Sequence, residues 1–209
     1  MSNPRVLIYL LRRDLRLQDN KILAQITQAT KQSNPPFTHL LPLYIFHPGQ
    51  IEVSGFLKEG ASSPFPEARS RVARFWRCGP HRAQWLAESL WDVKQSLTKL
   101  HSGLELRVGR SADVVKNLIE GLKSQNNEVV GLWMHRDWLT EERREEREVR
   151  EVVTGLKIKF ESFDPDAYFI AESVDLGTSG RLKLTSSLGA IYPISPPRSP
   201  MSSRSIRTR

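Results

Sequence analysis

The sequence of 209 residues is poor in several features that would assign it to a specialised class of protein. It has one cysteine, Cys78, so no disulfide can form within the chain. Such cysteine usage fits a reducing compartment. The longest apolar runs, Val6–Leu11 and Leu40–Phe46, are far shorter than the ~20 residues that cross a bilayer. The first residues lack the basic, apolar and small-residue pattern of a secretory signal, so none is expected. We therefore predict a soluble, intracellular protein without membrane partners, and leave nucleus, cytoplasm and mitochondrion open.

Common motifs of nucleotide binding and catalysis are also missing. No Gly-x-Gly-x-x-Gly follows the first apolar run, and no phosphate-binding loop or Gly-x-Ser-x-Gly elbow occurs. Five histidines are scattered without the spacing of metal ligands, at His39, His47, His81, His101 and His135. The sequence therefore predicts neither a catalytic residue nor a metal site.

Positive charge is abundant, but it is unevenly distributed. The formal net charge is +8, and the last segment, Ser195 to Arg209, contains four arginines and no acidic residue. Half of the net charge thus lies in a short Ser/Pro/Arg-rich segment whose composition is typical of disorder. The rest of the chain is not strongly basic. Nucleic-acid binding through the arginine-rich tail remains one hypothesis, and it predicts binding that weakens steeply with salt.

The apolar pattern predicts strands that alternate with amphipathic helices. Continuous apolar runs are typical of strands buried on both faces of a parallel sheet. The predicted strands are Val6–Leu11, Leu40–Phe46, Leu104–Val108, Val129–Met134 and Ile158–Phe163. Predicted helices begin after Asp19 or Asn20, at Pro80, after Ser111 and after Thr140, with Ser111 and Thr140 as N-caps. Strand–helix alternation requires right-handed crossovers and a parallel sheet. We predict an α/β fold, a five-stranded parallel Rossmann-like sheet with helices on both faces, over residues 1–175, followed by a linker and disordered tail over residues 176–209.

A charged turn follows the first predicted strand, at the carboxyl edge where open α/β sheets bind ligands. Residues 10–20 read Leu-Leu-Arg-Arg-Asp-Leu-Arg-Leu-Gln-Asp-Asn, and Arg12 and Asp14 are its candidate ligand-binding residues. From the residues alone, a purely structural interpretation is favoured, in which Asp14 pairs with a neighbouring arginine and Asp19 or Asn20 caps the next helix.

This turn resembles the start of photolyases and cryptochromes, which carry Arg-x-Asp-Leu-Arg and then Asp-Asn after their first strand. The chain departs from the family at Leu10-Leu11, where an aromatic pair is usual. Residues 79–90, Gly-Pro-His-Arg-Ala-Gln-Trp-Leu-Ala-Glu-Ser-Leu, resemble a segment typical of the DASH-type cryptochromes. The resemblance to the family covers roughly residues 5 to 170 of this chain.

The resemblance implies an N-terminal antenna domain that binds methenyltetrahydrofolate, or a deazaflavin or flavin in its place. In the family, the antenna pigment passes excitation energy to FAD in a larger helical domain, and the full-length protein binds single-stranded or damaged DNA. Energy transfer requires a fixed separation and orientation of the two pigments and no bond making. This agrees with the absence of a predicted catalytic residue.

The resemblance also points to residues just after the fourth predicted strand as part of a folate pocket. Asp137 would accept hydrogen bonds from the pterin ring, His135 would be a polar neighbour, and Trp138 would stack on a flat ring. An equally open alternative pairs Asp137 with Arg136 or Arg143 and buries Trp138 in the core.

Four further features have structural interpretations. We assign Trp85 and Trp91 to the core or to an interdomain surface, and we interpret Glu141–Glu148 as a solvated helix face with intrahelical ion pairs. Cys78 is predicted to be inert.

Beyond about Gly177 the family-like sequence fades, and we predict a truncated product that lacks the FAD domain and does not repair DNA by itself. A stand-alone nucleotide-binding or protein-interaction module is the alternative function.

Overall fold

A computed structural model of the protein describes residues 3–51, 68–70 and 72–164, and two short strands at residues 174–175 and 183–184. Five parallel strands form one sheet in the order β3-β2-β1-β4-β5. Their bounds are Arg5–Leu11 (β1), His39–Phe46 (β2), Glu105–Val108 (β3), Glu128–His135 (β4) and Lys159–Phe163 (β5). The predicted parallel α/β fold is therefore confirmed, and each predicted strand overlaps an observed one.

Helices cover both faces of this sheet, as predicted. Their bounds are Lys21–Thr30 (α1), Pro48–Ile51 (α2), Pro80–Lys99 (α3), Ser111–Ser124 (α4) and Thr140–Gly155 (α5). Because side chains alternate along a strand, β1 contributes to two cores. Leu7 and Tyr9 pack against α1 and α3, whereas Ile8 and Leu10 pack against α4 and α5. The short α2 has no counterpart in the sequence prediction. Among the described residues, no helix combines the length and the apolar character that a membrane crossing requires.

Pro42 lies inside β2, a strand with neighbours on both sides. Proline cannot donate a ladder hydrogen bond and is normally confined to edges. The pairing resolves this conflict, because β3 begins to pair with β2 only at Leu43, whereas Pro42 is paired with Tyr9 of β1 alone. Pro42 therefore occupies a locally one-sided position in an otherwise central strand.

The helix N-termini agree only in part with the predicted caps. Asn20 caps α1, because its Oδ1 accepts the backbone N–H of Leu23 at 3.0 Å, and Pro80 is the first residue of α3. The cap predictions for Ser111 and Thr140 are wrong. Both residues are the first of their helices, and the true N-cap positions have no side-chain cap hydrogen bond. The Ser111 hydroxyl instead donates to a carboxylate oxygen of Glu145.

Gly109 follows β3 and turns the chain towards α4 with a φ of +148°. A Cβ at this position would lie 2.8 Å from Cγ2 of Val114. Gly109→Ala is therefore expected to lower the free energy of unfolding by about 1–3 kcal/mol, since it combines a strained φ with a steric clash. Urea denaturation followed by circular dichroism measures this change.

The matched control is Gly121→Ala within α4, where an added Cβ meets no atom within 4 Å. That substitution should raise the free energy of unfolding by roughly 0.5–1 kcal/mol, the difference in helix propensity between the two residues. Equal effects of the two substitutions would contradict the strained conformation assigned to Gly109.

The chain divides into a compact unit, Met1–Pro165, and a second unit, Asp166–Arg209. In the second unit the described residues are two strands, Val174–Asp175 and Lys183–Leu184, which pair antiparallel. The predicted domain boundary at residue 175 stays a prediction. Apart from residues 183–184, the predicted disordered tail over residues 176–209 lies outside the described residues.

Candidate functional site

The order of the strands creates one crevice at the carboxyl edge of the sheet. The chain runs from β1 outward through β2 to β3 and then returns to the other side of β1 as β4. Open α/β sheets bind ligands outside the carboxyl ends of the strands at such a switch point. Arg12 and Asp14 follow β1, and His135 ends β4 just before Asp137 and Trp138. All five predicted site residues therefore lie at or just beyond the carboxyl ends of the two strands that flank the switch point.

Asp14 is held within its own turn. Its carboxylate accepts hydrogen bonds from the Arg16 side chain at 2.9 Å and from the Arg16 backbone N–H at 3.1 Å. The hydrogen bond from the Arg16 side chain is the main cause that lowers the pKa of Asp14. The predicted pairing of Asp14 with a neighbouring arginine is confirmed. The buried His135 lies beside it, with Nε2 at 3.8 Å from Asp14 Oδ2, so the structure brings two of the predicted residues together.

Asn20 also holds the turn after β1 in place. The sequence predicted a capping role for this residue but not its contacts with the turn and the sheet. Besides capping α1, its side-chain amide donates to the Tyr9 hydroxyl at 2.9 Å and to the Arg16 carbonyl at 3.1 Å. Burial raises the pKa of Tyr9 to about 12, and its ring meets the ring of His135 edge-on. The side chain of one helix cap thus connects the turn after β1 to the sheet beneath it.

Asp137 and Trp138 lie at the surface end of β4. Asp137 Oδ2 is 3.3 Å from Nε of Arg13, and its Oδ1 accepts the backbone N–H of Trp138 at 2.8 Å. The ion-pair partner of Asp137 is therefore Arg13, whereas Arg136 pairs with Asp164 at 3.0 Å. Trp138 is 43% exposed, so the alternative that buried it in the core is wrong. Its stacking on a ligand ring stays a prediction.

Arg12 is directed away from these residues and towards α5. Its side chain is 9% exposed, and its Nη2 is 2.5 Å from Oε2 of Glu145 and 3.2 Å from the Glu142 carbonyl oxygen. The other terminal nitrogen, Nη1, is buried and has no hydrogen-bond partner among the described residues. A buried guanidinium nitrogen without an acceptor is costly, and it marks a place where a ligand atom would be stabilised.

The interpretation of Glu141–Glu148 as a solvated helix face is wrong for two of its glutamates. Glu142 and Glu146 are buried, at 5% and 6% exposure, and Glu142 pairs with Arg13 of the turn after β1. The expected intrahelical pairs do occur, such as Arg144 with Glu148 at 3.2 Å. The spacing carries a signal for this burial, because Glu142 and Glu146 extend the apolar stripe of Val149 and Val153 by steps of 3 and 4.

A cavity of about 390 Å³ opens between the carboxyl ends of β1 and β2 and three helices. Its charged walls come from the arginines after β1, one arginine of α3 and two glutamates of α5, and its aromatic walls come from β2 and α3. These lining residues are Arg12, Arg13, Arg82, Glu142, Glu145, Tyr44 and Trp85. Asp14, His135, Asp137 and Trp138 do not line it. The cavity therefore includes Arg12 and leaves the other four predicted residues outside.

Two smaller predictions concern the tryptophans of α3 and the cysteine just before that helix. Trp85 and Trp91 are 62% and 61% exposed, so the core alternative is wrong, and their assignment to an interdomain surface stays a prediction. Cys78 is buried and lines the cavity, and its predicted inertness stays a prediction. Within the described ranges, no group of three or more His, Cys, Asp or Glu side chains is placed to hold a metal ion.

Comparisons with known proteins agree with this fold. The model of the DNA photolyase family matches residues 7–184. A putative cryptochrome DASH of Gibberella zeae is 44% identical over 170 residues, covering 81% of this chain and 24% of that protein. A putative mitochondrial cryptochrome DASH of Neurospora crassa is 41% identical, with 81% and 23% covered. The crystal structure of a Synechocystis cryptochrome superposes with a TM-score of 0.59 at 21% identity, covering 78% of this chain and 28% of that one.

The fold and these matches define an N-terminal α/β domain of the photolyase type. The chain belongs to the DNA photolyase family, and the curated relatives quoted above carry the name cryptochrome DASH. It spans about a quarter of the length of those relatives.

Proposed function

We propose that this chain is the light-harvesting domain of a cryptochrome DASH-like flavoprotein and binds a folate-type pigment, methenyltetrahydrofolate, in the cavity beside Arg12. A deazaflavin or a flavin is the alternative pigment. The observation that carries the proposal is Arg12, whose side chain lines a cavity at the carboxyl edge of the sheet and whose buried Nη1 has no acceptor among the described residues. A pigment carbonyl or carboxylate oxygen would provide that acceptor.

The surrounding side chains suit a flat, polar molecule. Glu145 and the Glu142 carbonyl hold the Arg12 guanidinium in one orientation, so little conformational entropy remains to be lost when a ligand binds. Arg82 adds positive charge for an anionic group, and Trp85 offers a ring face beside the cavity. When bound, the pigment supplies absorption in the near ultraviolet. The protein residues bind and orient it, which requires no catalytic group.

The resemblance to the family supports the rest of the pathway. The acceptor of the excitation energy would be FAD in a further domain, and single-stranded or damaged DNA would bind to the full-length protein. Because repair in the family depends on FAD in that further domain, we expect the 209-residue chain by itself not to repair cyclobutane dimers in light.

The test is a fluorescence titration of the purified chain with methenyltetrahydrofolate, comparing the native chain with Arg12→Lys. Lysine keeps a positive charge near Glu145 but lacks the second terminal nitrogen. The loss of one hydrogen bond to a charged group is worth roughly 1.5–3 kcal/mol, so we expect Kd to rise by about 10- to 100-fold. The matched control is Arg144→Lys, the same exchange on α5 at a side chain that is 75% exposed, and it should leave Kd unchanged.

Other variants separate the two candidate positions of the pigment. If Asp137→Asn and Trp138→Ala weaken binding while Arg12→Lys does not, the pigment lies at the end of β4, as the family resemblance predicts, and the cavity is excluded. If AMP or ATP binds and neither folate nor flavin nor deazaflavin does, the chain is the stand-alone nucleotide-binding module and the light-harvesting proposal is wrong.

A further inference from the structure

The edge strand β3 is unusually open for a strand of a parallel sheet. Such strands are normally buried on both faces, but Leu106 and Val108 are 37% and 57% exposed. An edge strand also presents backbone groups that can pair with another strand. Gly109 donates its backbone N–H to Phe46 of β2. Because backbone groups alternate in direction along a strand, those of Leu106 and Val108 point away from the sheet.

The side chains of β3 are arranged with opposite charges two residues apart. Arg107 Nε lies 2.7 Å from Glu105 Oε1, which places both side chains on one face of the strand. Leu106 and Val108 occupy the other face, opposite Tyr44 and Phe46 of β2. One face of the strand is thus charged and the other is apolar.

From these features we propose that β3 pairs antiparallel with β3 of a second copy of the chain, around a twofold axis through Leu106. In this register the outward backbone groups of Leu106 bond to those of its own copy. Glu105 lies opposite Arg107 of the other copy, and Arg107 opposite its Glu105. The two five-stranded sheets join into one continuous sheet.

The charges select this register over its neighbours. A shift of the twofold axis to residue 105 places Glu105 opposite itself, and a shift to residue 107 places Arg107 opposite itself. Like charges directly opposite each other on paired strands are destabilising, whereas opposite charges are favourable. The axis through Leu106 is the one that satisfies the outward backbone groups and both pairs of charges.

The opposite edge of the sheet serves as an internal comparison. Strand β5 also carries opposite charges two residues apart, with Lys159 Nζ at 2.5 Å from Glu161 Oε1. Phe160 between them is less exposed, and the guanidinium of Arg150 lies 4.9 Å from its ring centroid. The apolar position of β5 is therefore covered within the chain, whereas no described residue covers that of β3 in the same way.

Sedimentation equilibrium of the 209-residue chain over a concentration series at low salt tests the proposal. We expect a reversible dimer. The single reversals Glu105→Arg and Arg107→Glu should each weaken it by at least ~10-fold in dissociation constant, because each creates like charges at two symmetric positions. The double variant Glu105→Arg with Arg107→Glu restores opposite charges and should restore the dimer.

The reversals Lys159→Glu and Glu161→Lys on β5 are the matched controls and should leave dimerisation unchanged. Circular dichroism of every variant verifies that it is folded. A chain that stays monomeric at all concentrations overturns the proposal. A dimer whose dissociation constant is unchanged by the β3 reversals also overturns it, as does a dimer that is lost with the β5 reversals. None of these results bears on pigment binding.

Discussion

Replacing Leu132 by alanine should lower the free energy of unfolding by about 3 kcal/mol. Leu132 lies in the middle of β4, where it pairs with Ile8 of β1 and Phe160 of β5. Its side chain is fully buried between the sheet and the helices α4 and α5. Truncation removes apolar contacts and leaves a cavity, which costs 2–5 kcal/mol in comparable cores. Urea denaturation followed by circular dichroism measures the loss.

The control for this substitution is Leu139→Ala, just beyond the same strand. Leu139 is 52% exposed, so its truncation should change the free energy of unfolding by no more than about 0.5–1 kcal/mol. Similar losses in both variants would mean that the sheet centre around Leu132 is not packed as described.

The fold could be predicted from the sequence because the patterns that indicate its strands and helices are local. Val6–Leu11 is continuously apolar, and such a run is typical of a strand that is covered on both faces. The helices carry apolar residues at steps of 3 and 4, and the alternation of these two patterns leads to a parallel sheet. Pro42 is instructive, since it argued against a central strand and is accommodated by the late start of β3.

The candidate site was harder to predict from the sequence because its residues are brought together from distant parts of the chain. Arg12 and Glu142, which share a hydrogen bond, are separated by 130 residues, and no local pattern relates them. The charged run of α5 was interpreted by composition as solvated. Its periodicity held the information that Glu142 and Glu146 face inward, but the tertiary partner of Glu142, Arg13, is visible only in the folded chain.

Only some of the predicted site residues line the cavity, and tertiary packing again decides which. Motif resemblance led to Arg12, Asp14, His135, Asp137 and Trp138, and the topology gathers them at one edge of the sheet. Which of them faces the cavity depends on the directions in which successive side chains leave the turn. Arg12 is directed towards α5, whereas Asp14 pairs with Arg16 and lies beside His135. A sequence motif specifies the turn, and the packing of helices around it specifies the cavity.

The buried pair of Arg12 and Glu145 provides the second large prediction. Glu145→Ala should lower the free energy of unfolding by about 3 kcal/mol, because it leaves the Arg12 guanidinium, with its side chain 9% exposed, without a carboxylate partner. It also removes the acceptor of the Ser111 hydroxyl. The control is Glu141→Ala, one turn earlier on the same helix. Glu141 pairs with Arg77 but is 59% exposed, so its loss should cost no more than about 1 kcal/mol.

A double-mutant cycle then separates the pair from its individual residues. Arg12→Leu with Glu145→Leu removes both charges together, so neither is left buried and unpaired, and the double variant should be more stable than the sum of the single losses predicts. Strictly additive losses would mean that the two side chains do not interact, and that Glu145 does not orient the guanidinium. In that case Arg12 would be free to leave the cavity wall, and the case for Arg12 as the pigment anchor would lose its structural basis.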